Sequence, residues 1–414
     1  MARLLLLSNG HGEDLSGALL GQALQGLNHQ VEALPLVGCG DAYTNAGIAT
    51  LGQAQQFSTG GLGYTSLRGR LTELFQGQIF YLLRRVSRLL RVAHRYELVI
   101  VIGDVIPVMA AWLSRRPVVT YLVAYSSHYE GRLRLPWPCG SCLASRRFLG
   151  VYSRDQRTAT DLSEQLQRSV QFLGNPFMDP VLTPKPSLPG GNQRIGLLPG
   201  SRRPELEHNL LLLLQVVEQL PEPTLKAETL SLDLALVSTL DNTTLATLVA
   251  ARGWQLQVCS DPQNTLQLVC NNRRITLHRN AFITVLQSSD LLLSMAGTAT
   301  EQAVGLAKPV LQLPGKGPQF TPAFAEAQRR LLGPTVFCAS GEPGENESLC
   351  NTAALSLELL KRSASDQSLH DQCHQQAQQR LGAAGGGKRM AAAITGLLNG
   401  SHPPEPPPDR DSQN

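Results

Sequence analysis

The 414-residue chain is too long for one ordinary hydrophobic core, and two α/β domains are the natural expectation. Hydrophobic residues make up 42% and charged residues 16%, as in a globular protein, and no window reaches the roughly 18 unbroken apolar residues a spanning helix needs. The formal charge of +4 is uneven: residues 1–175 hold 17 Arg and Lys against 11 Asp and Glu, the remainder 19 against 21, so the basic character sits in the first half.

Met1-Ala-Arg-Leu-Leu-Leu-Leu7 is too short an apolar stretch for a signal peptide, and it runs straight into Ser8-Asn-Gly-His-Gly12. It reads as a first buried strand, Leu4–Ser8, of a protein that stays in the cytoplasm or lies peripherally on the cytoplasmic face of the membrane. A glycine turn, a helix near Ser16–Gly26 and a strand over Val31–Pro35 follow, and the Gly-rich polar stretch Gly38–Gly63 reads as loop. Residues 67–95 set Arg68, Arg70, Arg84, Arg85, Arg88, Arg91 and Arg95 among Leu, Ile, Val and Phe. Such a helix fits a surface lying on anionic lipid, and equally one packing its apolar face on a sheet. Nucleic acid is not an expected partner, because aromatic residues are not interleaved with the basic ones.

Leu98–Ile102 is a continuous apolar run bounded by Glu97 and Gly103, the pattern of a parallel strand buried on both faces, and Val118–Val123 resembles it. Strands alternating with helices imply a doubly wound sheet. Eight scattered cysteines point to a reducing compartment, and Cys139-Gly-Ser-Cys142 lacks a second pair at zinc spacing.

Four prolines and a Gly-Gly pair make Phe177–Gln193 a linker. A second series of strands is expected at Ile195–Leu198, Leu232–Val237, Leu256–Val258, Ile275–Leu277, Leu291–Ser294 and Val310–Leu313. The division is therefore residues 1–176, a linker over 177–193, a second domain over 194–398 and a disordered tail over 399–414. Two such domains on a proline-rich hinge would leave a ligand-holding cleft.

Two turns carry most of the chemistry. Gly200-Ser201-Arg202 follows a strand and precedes a helix, and Gly297-Thr298-Ala299-Thr300 repeats the arrangement. A helix start offers unpaired amides and a positive dipole end, which attract phosphate. Arg202 can fork onto a diphosphate, and Glu301 or Gln302 can reach a ribose hydroxyl. The plainer readings are an ordinary βα turn with a solvated arginine for the first and simple helix capping for the second. In the first half His11, Glu13 and Asp104 lie where strands end, at the edge on which parallel sheets hold ligands. His11 titrates near neutral pH and a carboxylate can accept a proton from an acceptor hydroxyl, although a lone turn histidine and an Asx turn are the plainer readings. Gly382-Ala-Ala-Gly-Gly-Gly387-Lys388-Arg389 approaches a phosphate loop but lacks its Ser/Thr and a preceding strand. No Asp-x-Asp pair occurs outside the tail, so neither metal nor cofactor is indicated.

Leu197-Leu-Pro-Gly-Ser-Arg202, Ala296-Gly-Thr-Ala-Thr300 and Gly174-Asn-Pro-Phe-Met-Asp179 together resemble lipid-A-disaccharide synthase. Gly10-His-Gly-Glu-Asp-Leu-Ser-Gly-Ala18 and Gly317-Pro-Gln-Phe-Thr-Pro-Ala-Phe-Ala-Glu-Ala-Gln328 look like blocks of its cyanobacterial and plastid related group. The resemblance covers roughly residues 1–395. It implies the GT-B fold, two Rossmann-like domains with parallel sheets facing across a cleft, and a UDP-sugar held by the second domain. Gly200, Ser201 and Arg202 would face the diphosphate, Gly297, Thr298 and Thr300 would close over it, and Gln319 would approach the sugar or phosphate. His11, Glu13 and Asp104 would line the acceptor side.

Three departures qualify the match: the spacing after Glu13, Glu301 one place early with Gln302 in its usual spot, and Asn175 where the synthase has His. The donor half matches better than the acceptor half. The expectation is a metal-independent, inverting glycosyltransferase moving a sugar from UDP to a lipid or lipid-linked acceptor. A UDP-sugar epimerase and a non-catalytic, nucleotide-sugar-binding regulator are the alternatives.

Overall fold

The computed structural model describes residues 1–38, 40–52, 78–129, 131–190, 193–221, 230–259, 265–315 and 321–400. The chain divides into two compact units, Met1–Asp179 together with the chain from Gly382 onward, and Pro180–Leu381.

The first unit is built on a seven-stranded sheet of β1 (Arg3–Ser8), β2 (Gln30–Pro35), β3 (Ala49–Thr50), β4 (Leu98–Ile102), β5 (Val118–Leu122), β6 (Phe148–Ser153) and β7 (Gln171–Phe172). Its order is β3-β2-β1-β4-β5-β6-β7 and every pairing is parallel. The continuous apolar runs follow from burial on both faces, because successive side chains point to opposite sides. Leu5, Leu7, Val99 and Val101 enter one core, and Leu4, Leu6, Leu98, Ile100 and Ile102 the other. Strand order reverses between β1 and β4, which makes their carboxyl ends the expected ligand edge.

The second core is closed by Met390, Ala391 and Ile394 of the last helix, Gly386–Leu398. The expected second domain, 194–398, therefore ends early: at Gly382 the chain returns to the first unit. Asp179 holds this return. Its carboxylate accepts the amides of Gly385 (2.8 Å), Gly386 (2.9 Å) and Gly387 (2.9 Å). The glycine run that approaches a phosphate loop thus cradles a carboxylate of its own chain. A Cβ on Gly386 would lie 2.7 Å from the Asn175 nitrogen, so this close approach needs glycine. The expected linker also starts later than residue 177, because Phe177 and Met178 are buried in a 3-10 turn and Asp179–Leu182 is helical.

The second unit holds β8 (Gln193–Leu198), β9 (Leu230–Leu236), β10 (Gln255–Val258), β11 (Leu266–Cys270), β12 (Arg273–Arg279), β13 (Leu291–Ser294), β14 (Val310–Gln312) and β15 (Val336–Cys338). The order is β10-β11-β12-β9-β8-β13-β14-β15, parallel except for the antiparallel run β10-β11-β12. The leucine-rich helix Glu205–Gln219 buries Leu206, Leu210, Leu213, Leu214 and Val217 in one core with Ile195, Leu234 and Leu293. Each such side chain contributes about 2 kcal/mol on burial. Across the sheet, Asp233 pairs with the Arg194 guanidinium at 2.6 Å and with His278 Nε2 at 2.7 Å.

Within residues 67–95 the described part is the helix Gln78–Val92 and a turn to Arg95. It does pack: Leu89 is buried, Leu82 and Val86 lie against the same core, and Arg85 is buried with its guanidinium on the carbonyls of Pro35 and Leu51. Its outer face is also apolar. Phe80 is 76% exposed, and Leu83 and Leu90 are exposed beside Arg84, Arg88 and Arg91. The adjacent helix Val105–Leu113 exposes Ile106, Met109, Trp112 and Leu113. Among the described residues, no helix is long and apolar enough to cross a membrane.

Candidate functional site

At the switch point of the first unit, β1 ends at Ser8 and the helix His11–Gly26 begins after Asn9-Gly10. Gly10 is the N-cap and contributes no side-chain cap, so Glu13 folds back to accept the Asn9 amide at 2.7 Å. Its carboxylate rests on Gly103, where a Cβ would come within 2.4 Å of Glu13 Oε2. Asp104 caps the helix Val105–Leu113 by accepting the Ile106 amide at 3.0 Å. The Asn9 side chain donates to Asp104 Oδ2 at 3.2 Å, so Asn9 joins the two carboxyls.

Both carboxyls titrate above their ordinary range. Burial pushes Glu13 well up, and the nearby charge of Asp104 pushes it further. Burial also raises Asp104, opposed by the hydrogen bonds from Ile106 and Asn9. Adjacent like charges disfavour joint ionisation, and burial together with the charge of Asp104 favours the proton on Glu13. His11 occupies the first helical position, but its side chain lies outside the described atoms.

A second proton system lies just behind. The Ser8 hydroxyl donates to Asp14 Oδ1 at 2.6 Å and accepts from the Tyr43 hydroxyl at 2.8 Å. Asp14 is buried, and desolvation raises it to about 7 despite the Ser8 bond. Tyr43 belongs to a short helix, Asp41–Asn45, within the stretch expected to be loop. Tyr125 adds to this edge by accepting the Val105 amide at 3.1 Å.

In the second unit the two glycine turns leave neighbouring strands, with Leu198 of β8 opposite Ser294 of β13. Gly200 has φ of 94°, in the region that favours glycine, and a Cβ there would stand 3.0 Å from the Met295 carbonyl oxygen. Ser201 is exposed and Arg202 partly buried at the start of the helix Glu205–Gln219, with Pro204 as its N-cap. The helix Gly297–Gly305 begins after Ala296, with no side-chain cap, leaving its first amides without intrahelical acceptors. Thr298 is exposed and Glu301 partly so.

Thr300 and Gln302 are buried. The Thr300 hydroxyl bonds the Ala296 carbonyl at 2.6 Å and Ser294 Oγ at 2.8 Å, so it stabilises the turn from inside and does not lie on its outer side. Two further buried amides touch the turns: Asn209 Nδ2 donates to the Pro199 and Met295 carbonyls, and Gln328 Nε2 to the Gly297 carbonyl. Gln319 lies outside the described residues. No group of three or more His, Cys, Asp or Glu side chains able to hold a metal occurs among the described residues.

No protein-family model matches the chain, and no curated protein does. Solved structures do. A provisionally assigned UDP-N-acetylglucosamine 2-epimerase from Listeria monocytogenes is 16% identical over 98% of each chain, with a TM-score of 0.57. The S. aureus protein MnaA, in a co-structure with UDP, is 14% identical over 98% of this chain and 100% of its own, with a TM-score of 0.56. The spinosyn rhamnosyltransferase SpnG is 14% identical over 96% of this chain and 100% of its own, at 0.54. At such identities the likeness is one of fold, and the fold of the chain is the two-domain, Rossmann-like GT-B architecture.

Proposed function

We propose that the chain is a metal-independent glycosyltransferase that moves a sugar from a UDP-sugar to an acceptor hydroxyl with inversion at the anomeric carbon. The observation that carries this reading is the pair of glycine turns on neighbouring strands β8 and β13, each opening a helix. Arg202 and the two helix starts stabilise charge on the departing UDP. In the first unit, Asp104 takes the acceptor proton as the acceptor oxygen bonds to the sugar and the bond to UDP breaks, and a proton kept on Glu13, favoured by its burial, spares Asp104 a neighbouring negative charge.

A lipid or lipid-linked acceptor, of the kind used by lipid-A-disaccharide synthase-like enzymes, belongs to the same proposal. The exposed apolar faces of Gln78–Val92 and Val105–Leu113 support it, since residues 78–96 carry five arginines and no carboxylate. That combination suits an anionic membrane surface. The fold shared with proteins described as epimerases supports a second reading, interconversion of a UDP-sugar with no acceptor.

The test is thermal stabilisation across a nucleotide-sugar panel in chelator, followed by incubation of the best ligand with and without a lipid-linked sugar. The proposal expects UDP compounds to raise the unfolding temperature and UDP to be released only with acceptor. An altered donor sugar formed without acceptor would instead establish the epimerase. No stabilisation by any uridine nucleotide would overturn both.

A further inference from the structure

We infer that Asn209 is a positioning residue that holds the two glycine turns in register for a diphosphate; the inference rests on the donor site proposed above. Asn209 lies in the second turn of the helix Glu205–Gln219, among leucines, and is 1% exposed. Its amide nitrogen donates to the Pro199 carbonyl at 2.9 Å and to the Met295 carbonyl at 3.4 Å. Those residues immediately precede the two glycine turns. One side chain thus ties the exit of β8 to the exit of β13, beside the backbone bond from the Met295 amide to the Leu198 carbonyl at 2.8 Å.

The consequence follows from peptide geometry. Neither the 199–200 nor the 295–296 peptide is cis, and across a trans peptide the carbonyl and the next amide point in opposite directions. Drawing the Pro199 and Met295 carbonyls onto Asn209 therefore turns the Gly200 and Ala296 amides away from it. Thr300 holds the Ala296 carbonyl and Gln328 the Gly297 carbonyl at 3.0 Å, which directs the Gly297 and Thr298 amides in the same way. The Gln312 side chain in turn donates to Gln328, fixing its orientation. Among the described residues, these four amides donate to no protein oxygen. Three buried side chains thus hold four carbonyls, and the amides left on the other side are suited to the oxygens of a diphosphate. Burying a primary amide inside a leucine cluster is costly unless its donors are used. Both donors of Asn209 are used on the turns, while its Oδ1 is buried without a partner among the described residues, a cost that the two turn bonds offset.

The experiment measures binding of UDP, uridine and inorganic pyrophosphate to the wild-type chain and to Asn209→Leu, Asn209→Ser and Gln328→Met, with circular dichroism to check folding. Loss of the tie is expected to weaken UDP and pyrophosphate by about tenfold or more. Uridine affinity should be unchanged, so the ratio of the uridine to the UDP dissociation constant falls. A purely structural role would lower all ligands together or none. Asn209→Ser and Gln328→Met carry the test if the leucine variant does not fold. Folded variants that bind UDP and pyrophosphate as the wild type does would overturn the inference. A wild-type chain that binds pyrophosphate but not UDP would refute the uridine donor while leaving the positioning role to be judged on pyrophosphate; binding neither would overturn both.

Discussion

The ligand edges of the two sheets have the same backbone plan and opposite side-chain chemistry. In the first unit the loops after β1 and β4 bring carboxyls together, Glu13 against Gly103 and Asp104 beside Asn9, with Asp14 and Tyr43 behind them. In the second unit the loops after β8 and β13 carry no close carboxyl pair, and the buried side chains of Asn209, Thr300 and Gln328 hold backbone carbonyls there. In the proposed reaction one edge handles the proton, and the other presents amides and Arg202 to the diphosphate. The contrast teaches that the same βα plan can gather carboxyls or expose backbone amides, according to what its side chains hold.

The sharpest way to break this division is to compare Asp104→Asn with Arg202→Ala. The asparagine variant should lose sugar transfer by about 10³-fold while keeping UDP affinity. Arg202→Ala should lose about 10²-fold in transfer and weaken UDP as well. Equal loss of UDP binding in both would abolish the division, and unchanged cellular function in the Asp104 variant alone would favour the regulator. The transfer rate should fall on acidification through a pKa above the ordinary aspartate range, because burial raises Asp104.

Asp14 gives the next effect, in stability. Its folded-state value is raised from 3.8 to about 7, so the folded state holds the proton more tightly than the unfolded chain. Stability from this group is complete below about pH 4 and is lost as pH rises through 7, by about 4 kcal/mol at most. Asp14→Asn should flatten the fall in unfolding temperature between pH 5 and pH 8; an equally steep fall would place the linkage elsewhere. A smaller change is expected from replacing Leu83 and Leu90 with Ser, which should weaken binding to anionic vesicles several-fold at low salt. Binding unaffected by the substitutions would remove this helix from any membrane contact. Smallest of all, Glu13→Gln should keep transfer within about threefold, because the amide mimics the protonated acid. A loss as deep as that of Asp104→Asn would make Glu13 the base.

Much of the strand framework was legible because buried parallel strands leave unmistakable apolar runs: Leu98–Ile102 is a strand as read, and both glycine turns sit between a strand and a helix. What escaped the sequence depended on distant pairing. Tyr43 meets Ser8 across 35 positions, from within a stretch whose glycines hid a five-residue helix. Asn209 is masked by the leucines around it, and only the position of β13 reveals what its amide serves. The return of the last helix was invisible for a similar reason, since nothing local marks Gly385–Gly387 as the partner of Asp179 rather than of a phosphate. The strand Leu266–Cys270 was missed because an antiparallel edge with half-buried residues lacks the continuous apolar run of the central strands.

The central claim is that the glycine turns of the second unit hold the UDP, and amide hydrogen exchange with and without UDP, in chelator, tests it most directly. Slower exchange at Gly200, Ala296, Gly297 and Thr298 is expected, with no change at Asn9 or Val105. Protection confined to the first unit's edge, or none at the four turn amides while UDP is bound, would contradict it.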